Sequence, residues 1–99
     1  MGIVSCLGNN KNDVAHALRH GLSGITFSPE YAELGFRSHI HGAIDINPSD
    51  HIDRKVLRFM GNGAAYNYIA LQQAIDDASL NPEHVSNECT GLIVGSGGA

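Results

Sequence analysis

Charge is scarce in this chain of 99 residues: Asp, Glu, Lys and Arg make up 16% of it, against about 25% in ordinary soluble domains. A disordered tail would be charge-rich and apolar-poor. Here 42% of residues are hydrophobic, so a buried, closely packed piece is expected instead. Cysteine is nearly absent. Cys6 and Cys89 lie near opposite ends and make no disulfide framework, which fits a reduced, cytoplasmic chain. No apolar run approaches the roughly 18 residues of a membrane span. Met1-Gly2-Ile3-Val4-Ser5 has neither the basic start nor the apolar core of a secretory signal. Cys6 stands where a myristoylation site prefers Ser or Thr. Basic residues number 6 against 10 acidic ones, and the net charge of −4 argues against general nucleic-acid binding.

Catalytic and nucleotide motifs are also missing. Gly95-Ser96-Gly97-Gly98 lacks the Gly-Lys-Ser/Thr ending of a phosphate loop, and no helix follows it. Gly2 and Gly8 do not form a GxGxxG pattern. Gly95-Ser96-Gly97 has the wrong spacing for a GxSxG elbow. The plain reading of this segment is a tight turn with close backbone packing.

Glycine, by contrast, is abundant: 12 of 99 residues, nearly double the average of about 7%. Asn10 is an apt N-cap with Asp13 in the first turn, Val14, Ala17 and Leu18 share a helical face, and Gly21 suits the C′ position. A helix over 11–20 follows. Ser28-Pro29-Glu30 marks a second helix start, with proline at its first position. Arg37 to Ile46 alternates as a strand does, with His39 and His41 on one face and Ile40, Gly42, Ile44 and Ile46 on the other. Asn47-Pro48-Ser49-Asp50 breaks it, and a short amphipathic segment runs from Ile52 to Met60.

The strongest helix spans about 63–79. Ala64, Tyr68, Leu71, Ile75 and Ala78 form its stripe, Ala65 and Ile69 widen it, and a largely buried helix is expected. Asn81-Pro82 ends it, and Gly91-Leu92-Ile93-Val94 has the pattern of a short apolar strand. The order points to an α/β fold. An apolar strand of this kind needs parallel neighbours and helices on both faces, which 99 residues do not supply. Ile3-Val4 is likewise too short for a strand. The expectation is a piece of a larger sheet, cut at both ends.

Six histidines invite a metal reading. His16 and His20 share a helix face and His39 and His41 a strand face, but each is only a pair, and no further ligands stand at convincing spacing. Solvated or edge histidines are the simpler assignment. Cys6 precedes a helix, where a reactive thiol can sit, but a packing thiol is the ordinary alternative for it and for Cys89. No metal or cofactor is assigned. The basic cluster says more. Arg54, Lys55 and Arg58 are three of the six basic residues, and one helical turn presents all three beside Val56, Leu57, Phe59 and Met60. An amphipathic surface helix and a docking patch for an acidic partner both fit.

Four segments carry a resemblance. Gly2-Ile3-Val4-Ser5-Cys6-Leu7-Gly8-Asn9-Asn10, Gly24-Ile25-Thr26-Phe27-Ser28, Ile52-Asp53-Arg54-Lys55-Val56-Leu57-Arg58-Phe59-Met60 and Gly91-Leu92-Ile93-Val94-Gly95-Ser96-Gly97-Gly98 resemble, in order and spacing, the N-terminal quarter of the beta-ketoacyl-ACP synthase I family. The long helix with Gln73-Ala74-Ile75 and Asp77-Ala78 agrees. The resemblance covers the whole chain. It implies the incomplete N-terminal part of a thiolase-like fold of two similar α/β halves, in an enzyme that forms a homodimer. That family elongates acyl chains by decarboxylative condensation with malonyl-ACP in fatty acid biosynthesis, using a nucleophilic cysteine and two histidines. These three lie beyond the glycine loop, so neither Cys6 nor Cys89 and none of the six histidines inherits a catalytic role, and the chain alone is expected to be inactive.

The resemblance assigns Arg54, Lys55 and Arg58 to docking of acyl carrier protein, an acidic helical partner. Residues 1–99 then form a partial beta-ketoacyl synthase N-terminal domain, truncated at both ends. The alternative is a non-catalytic small protein that binds acyl carrier protein. Ser79 departs from the family, which usually has a helix-ending glycine there. A left-handed conformation at Ser79 would cost about 1 kcal/mol.

Overall fold

The computed structural model describes residues 1–97. The last glycine of the loop call, Gly98, lies outside the described residues. The chain divides into two compact units, Ile3–Ile46 and a second made of Met1–Gly2 with the chain from Asn47 onward.

In the Ile3–Ile46 unit, helix α1 spans Lys11–Arg19. The Asn10 side chain accepts from the Asn12 and Asp13 amides at 2.9 and 3.0 Å, satisfying two of the donors a helix start leaves open. Val14 and Ala17 are buried, whereas Leu18 is 67% exposed. The inward face is therefore narrower than the expected stripe of three. Strand β1 (Ile25–Phe27) was not legible as a strand from three residues. It pairs antiparallel with β2 (Ile40–Gly42), with Ile25 opposite Gly42, Thr26 opposite His41 and Phe27 opposite Ile40. The strand expected over Arg37–Ile46 shrinks to β2 because β1 offers only three residues to pair with. Between the strands lies α2 (Pro29–Glu33), capped by the buried Ser28 hydroxyl, which accepts from the Tyr31 amide at 3.3 Å.

The Cys6 thiol packs against Gly24 and Gly42, and a Cβ at Gly42 would stand 3.0 Å from the sulfur. Ile3 and Val4 form no strand; the nearest pairing is an isolated bridge between Ser5 and Gly8.

In the other unit a 3-10 turn at Pro48–Asp50 leads to α3 (Arg54–Leu57), α4 (Asn62–Asp77) and α5 (Pro82–Val85). Helix α4 packs on the 3-10 turn, and the buried side chains are Ile52, Ala65 and Ile69. Each isoleucine so buried contributes about 1.5–3 kcal/mol. Helix α4 is not largely buried, contrary to the stripe reading. Its inward line is Ala65 and Ile69, while Tyr68 is 43% and Leu71 38% exposed. Those two line an apolar groove of about 860 Å³ with Gly2, Ala74, Leu92 and Ile93. Residues 91–94 form no strand, and Ile93 is 99% exposed. A strand needs a hydrogen-bonding neighbour, and the described residues offer this segment none.

Three helices end alike. After α1 the amides of Gly21 and Leu22 donate to the carbonyls of Leu18 and Ala17; after α2 those of Gly35 and Phe36 donate to Ala32 and Tyr31; after α4 those of Ser79 and Leu80 donate to Asp76 and Ile75. This is the Schellman arrangement, which needs a left-handed residue at C′. Gly21 (φ 62°) and Gly35 (φ 72°) meet that need without strain, while Ser79 meets it at φ 53° with a Cβ. Ser79, where the resemblance expects a helix-ending glycine, thus adopts the left-handed conformation.

A candidate carrier-protein docking turn

The basic cluster is built by its local sequence. Asp53 lies outside the helical conformation at φ −55° and ψ 135°, and its carboxylate accepts from the Lys55 amide at 2.7 Å, capping α3. The Arg58 amide donates to the Arg54 carbonyl at 3.2 Å; those of Phe59 and Met60 then donate to Val56 and Leu57 at 3.1 and 2.9 Å, tightening the exit. Arg54 and Arg58 therefore stand about 6 Å apart along the axis, one turn from each other, with Lys55 three before Arg58. All three are exposed, and among the described residues none is held in an ion pair. Helix α3 is a single turn of four residues, so Arg54 and Lys55 belong to its last turn as well as its first, and with Arg58 they form one exposed basic surface.

The apolar residues of this segment do not all turn inward. Ile52 is buried and Leu57 and Met60 half-buried, but Val56 is 46% and Phe59 78% exposed. The Arg58 guanidinium lies over the Phe59 ring, 4.6 Å from its centroid. Sequence reasoning put Val56 and Phe59 on the apolar inner side, and nothing in the spacing distinguishes them from Leu57 and Met60.

The histidine candidates make contacts of their own within the Ile3–Ile46 unit. His16 and His20 stack with ring centroids 4.1 Å apart, and His20 Nδ1 lies 2.8 Å from the His16 carbonyl oxygen. His41 rests on the Tyr31 ring, at 5.3 Å. Among the described residues no three His, Cys, Asp or Glu side chains are grouped to hold a metal. No helix among them is long and apolar enough to cross a membrane.

The exposed basic turn and the elements around it define a class: an acidic domain of mixed helix and strand that carries a basic surface turn. Comparison with known proteins makes the class particular. The family model described as Beta-ketoacyl synthase, N-terminal domain matches residues 1–99, and the chain belongs to that family. It is 53% identical to 3-oxoacyl-[acyl-carrier-protein] synthase 1 of Haemophilus influenzae over 97% of its own length, and 48% identical to the protein of that name from Escherichia coli over 99%. A 3-oxoacyl-[acyl-carrier-protein] synthase 2 of Staphylococcus aureus is 29% identical over 98% of the chain. In each case the chain spans 24% of the relative's length.

Proposed function

We propose that this chain acts as the N-terminal quarter of a cytoplasmic, homodimeric 3-oxoacyl-[acyl-carrier-protein] synthase, and that Arg54, Lys55 and Arg58 dock acyl carrier protein. The observation that carries the reading is a family match over residues 1–99 that includes an exposed basic turn. The activity is elongation of an acyl chain by decarboxylative condensation with malonyl-ACP. The nucleophilic cysteine and the two histidines belong to the remainder of the enzyme, so these residues supply fold and docking surface rather than bond-making groups. The fold is the opening part of a thiolase-like α/β layer. The apolar groove beside α4 and the uncovered Leu92, Ile93 and Val94 support this, because both are surfaces that further strands and helices would cover.

Grafting tests it. Residues 1–99 replace the matching quarter of the Escherichia coli synthase, and condensation is assayed with acyl-ACP and malonyl-ACP. An active chimera is expected, and Lys55→Glu with Arg58→Glu should raise its KM for the carrier-protein substrates about tenfold or more at low salt, with kcat little changed. An inactive but folded chimera, together with binding of carrier protein by the free chain, would favour a non-catalytic carrier-protein binder. Unchanged kinetics in the double reversal would sink the docking assignment.

A further inference from the structure

The exposed side of the basic turn is not purely basic. Val56 and Phe59 are i and i+3 on its winding, joined by the Phe59 amide donating to the Val56 carbonyl at 3.1 Å. They run beside Lys55 and Arg58, which are also i and i+3. The inward side of the segment is already filled by Ile52, Leu57 and Met60, so the outward pair is not the core of this unit. Phe59 leaves most of its ring in solvent. A lone exposed aromatic is ordinary, but this one has a cation seated on it. The guanidinium of Arg58 lies over the ring, 4.6 Å from its centroid, a contact that limits the rotamers a long side chain must otherwise give up on binding. A guanidinium placed over a ring keeps N–H groups free to grip a carboxylate with two hydrogen bonds.

We infer that Phe59, supported by Val56, is an apolar anchor within the docking face, and that the partner's acidic helix carries an apolar ridge received by it. The inference rests on the carrier-protein reading above. Charge complementarity selects the occupant: three of the six basic residues of a chain with net charge −4 fall within five positions of Phe59, one of them over its ring, and among the described residues none of the three is in an ion pair. A second copy of this acidic chain would add like charge, and a purely polar partner would leave the ring in water. Aromatic and arginine side chains flanked by a polar rim are the usual carriers of binding energy at such contacts. The cations then set orientation and encounter rate, while the ring sets how long the complex lasts.

Titration of the grafted synthase that carries residues 1–99 with purified acyl carrier protein, at about 50 mM and about 500 mM salt, separates the two contributions. Phe59→Ala should weaken binding about five- to tenfold at both salt concentrations, because an apolar contact is not screened. Phe59→Leu should stay within about threefold of the parent. Arg58→Lys keeps the charge but loses the planar stack, and should weaken binding at both salts. Lys55→Glu should weaken it mainly at low salt. If Phe59→Ala binds within about twofold of the parent while Lys55→Glu fails, the anchor is refuted and docking by charge survives. If Lys55→Glu and Phe59→Ala both bind like the parent, or the parent does not bind saturably, the docking reading falls and the anchor with it. Far-UV circular dichroism accompanies each variant. Should Phe59→Ala alter the spectrum, the comparison of Phe59→Leu with Arg58→Lys decides, and full affinity in Arg58→Lys overturns the stacked-anchor account.

Discussion

Replacing Ser79 by glycine should strengthen the end of α4, and its size can be worked from the backbone. Ser79 holds φ at 53°. For a residue with a Cβ, that conformation costs about 1–2 kcal/mol relative to the right-handed one. Glycine removes this cost but adds about 0.4–1 kcal/mol of unfolded-chain entropy. The net gain is therefore about 0.5–1 kcal/mol, or roughly twofold to fivefold in the closing equilibrium of the last turn. The same chain contains the reverse experiment. Gly21 has φ 62° in the matching position after α1, and a Cβ there would meet nothing within 4 Å. Gly21→Ala thus carries the conformational cost without a steric clash, offset in part by the lower unfolded-chain entropy, and should destabilise by about 0.5–1 kcal/mol. Hydrogen exchange reads both locally. The Leu80 amide, which donates to the Ile75 carbonyl at 3.1 Å, gains protection in Ser79→Gly, and the Leu22 amide, which donates to Ala17 at 2.9 Å, loses it in Gly21→Ala. Ser79→Ala keeps the Cβ and should leave Leu80 near the parent value. Loss of protection at Leu80 in Ser79→Gly would refute the strain argument, as would equal protection in the Gly and Ala variants.

Asp53→Asn keeps a good cap for α3 but removes a negative charge beside three cations, so affinity for acyl carrier protein should rise about twofold; Asp53→Ala loses the cap, worth about 1 kcal/mol, and should bind about fivefold more weakly than Asp53→Asn. Equal affinities for the two variants would show that the cap does not hold the turn. Gly2→Ala would drive a Cβ into the Ala70 carbonyl, a backbone atom that cannot swing away. Displacement of the N-terminal residues from α4 should follow, seen as chemical-shift changes at Ala70 and Ala74; an unperturbed spectrum would contradict the close approach. The isolated chain, with few buried apolar side chains and Leu92, Ile93 and Val94 uncovered, should melt broadly and bind a hydrophobic dye. A sharp cooperative melt would overturn that expectation.

Much of the local structure was legible in residue order. Asn10, Ser28 and Gly21 perform the capping roles their chemistry implied, because a cap depends on a hydroxyl or amide three residues from an amide, or on a missing Cβ. The three cations share a turn because helical spacing alone puts them there. The left-handed backbone at Ser79 was not fixed by residue order, since a serine there can also end a helix without it.

Burial and pairing were not. The apolar stripe of α4 was traced too wide, since of its members only Ala65 and Ile69 are buried while Tyr68 and Leu71 line the groove. Periodicity identifies an apolar face but not which neighbour covers it. The short pairing of β1 with β2 and the unpaired state of residues 91–94 follow from which backbone lies alongside, a matter of contacts distant in sequence. Phe59 belongs to the same category. Its position in the motif is a property of the chain, but its place outside, beneath the Arg58 guanidinium, arises because Ile52, Leu57 and Met60 occupy the inner side. Residue order by itself determined the caps, the cations and the family; only the tertiary structure decided which apolar side chains remain for a partner, because exclusion of water depends on what packs against them.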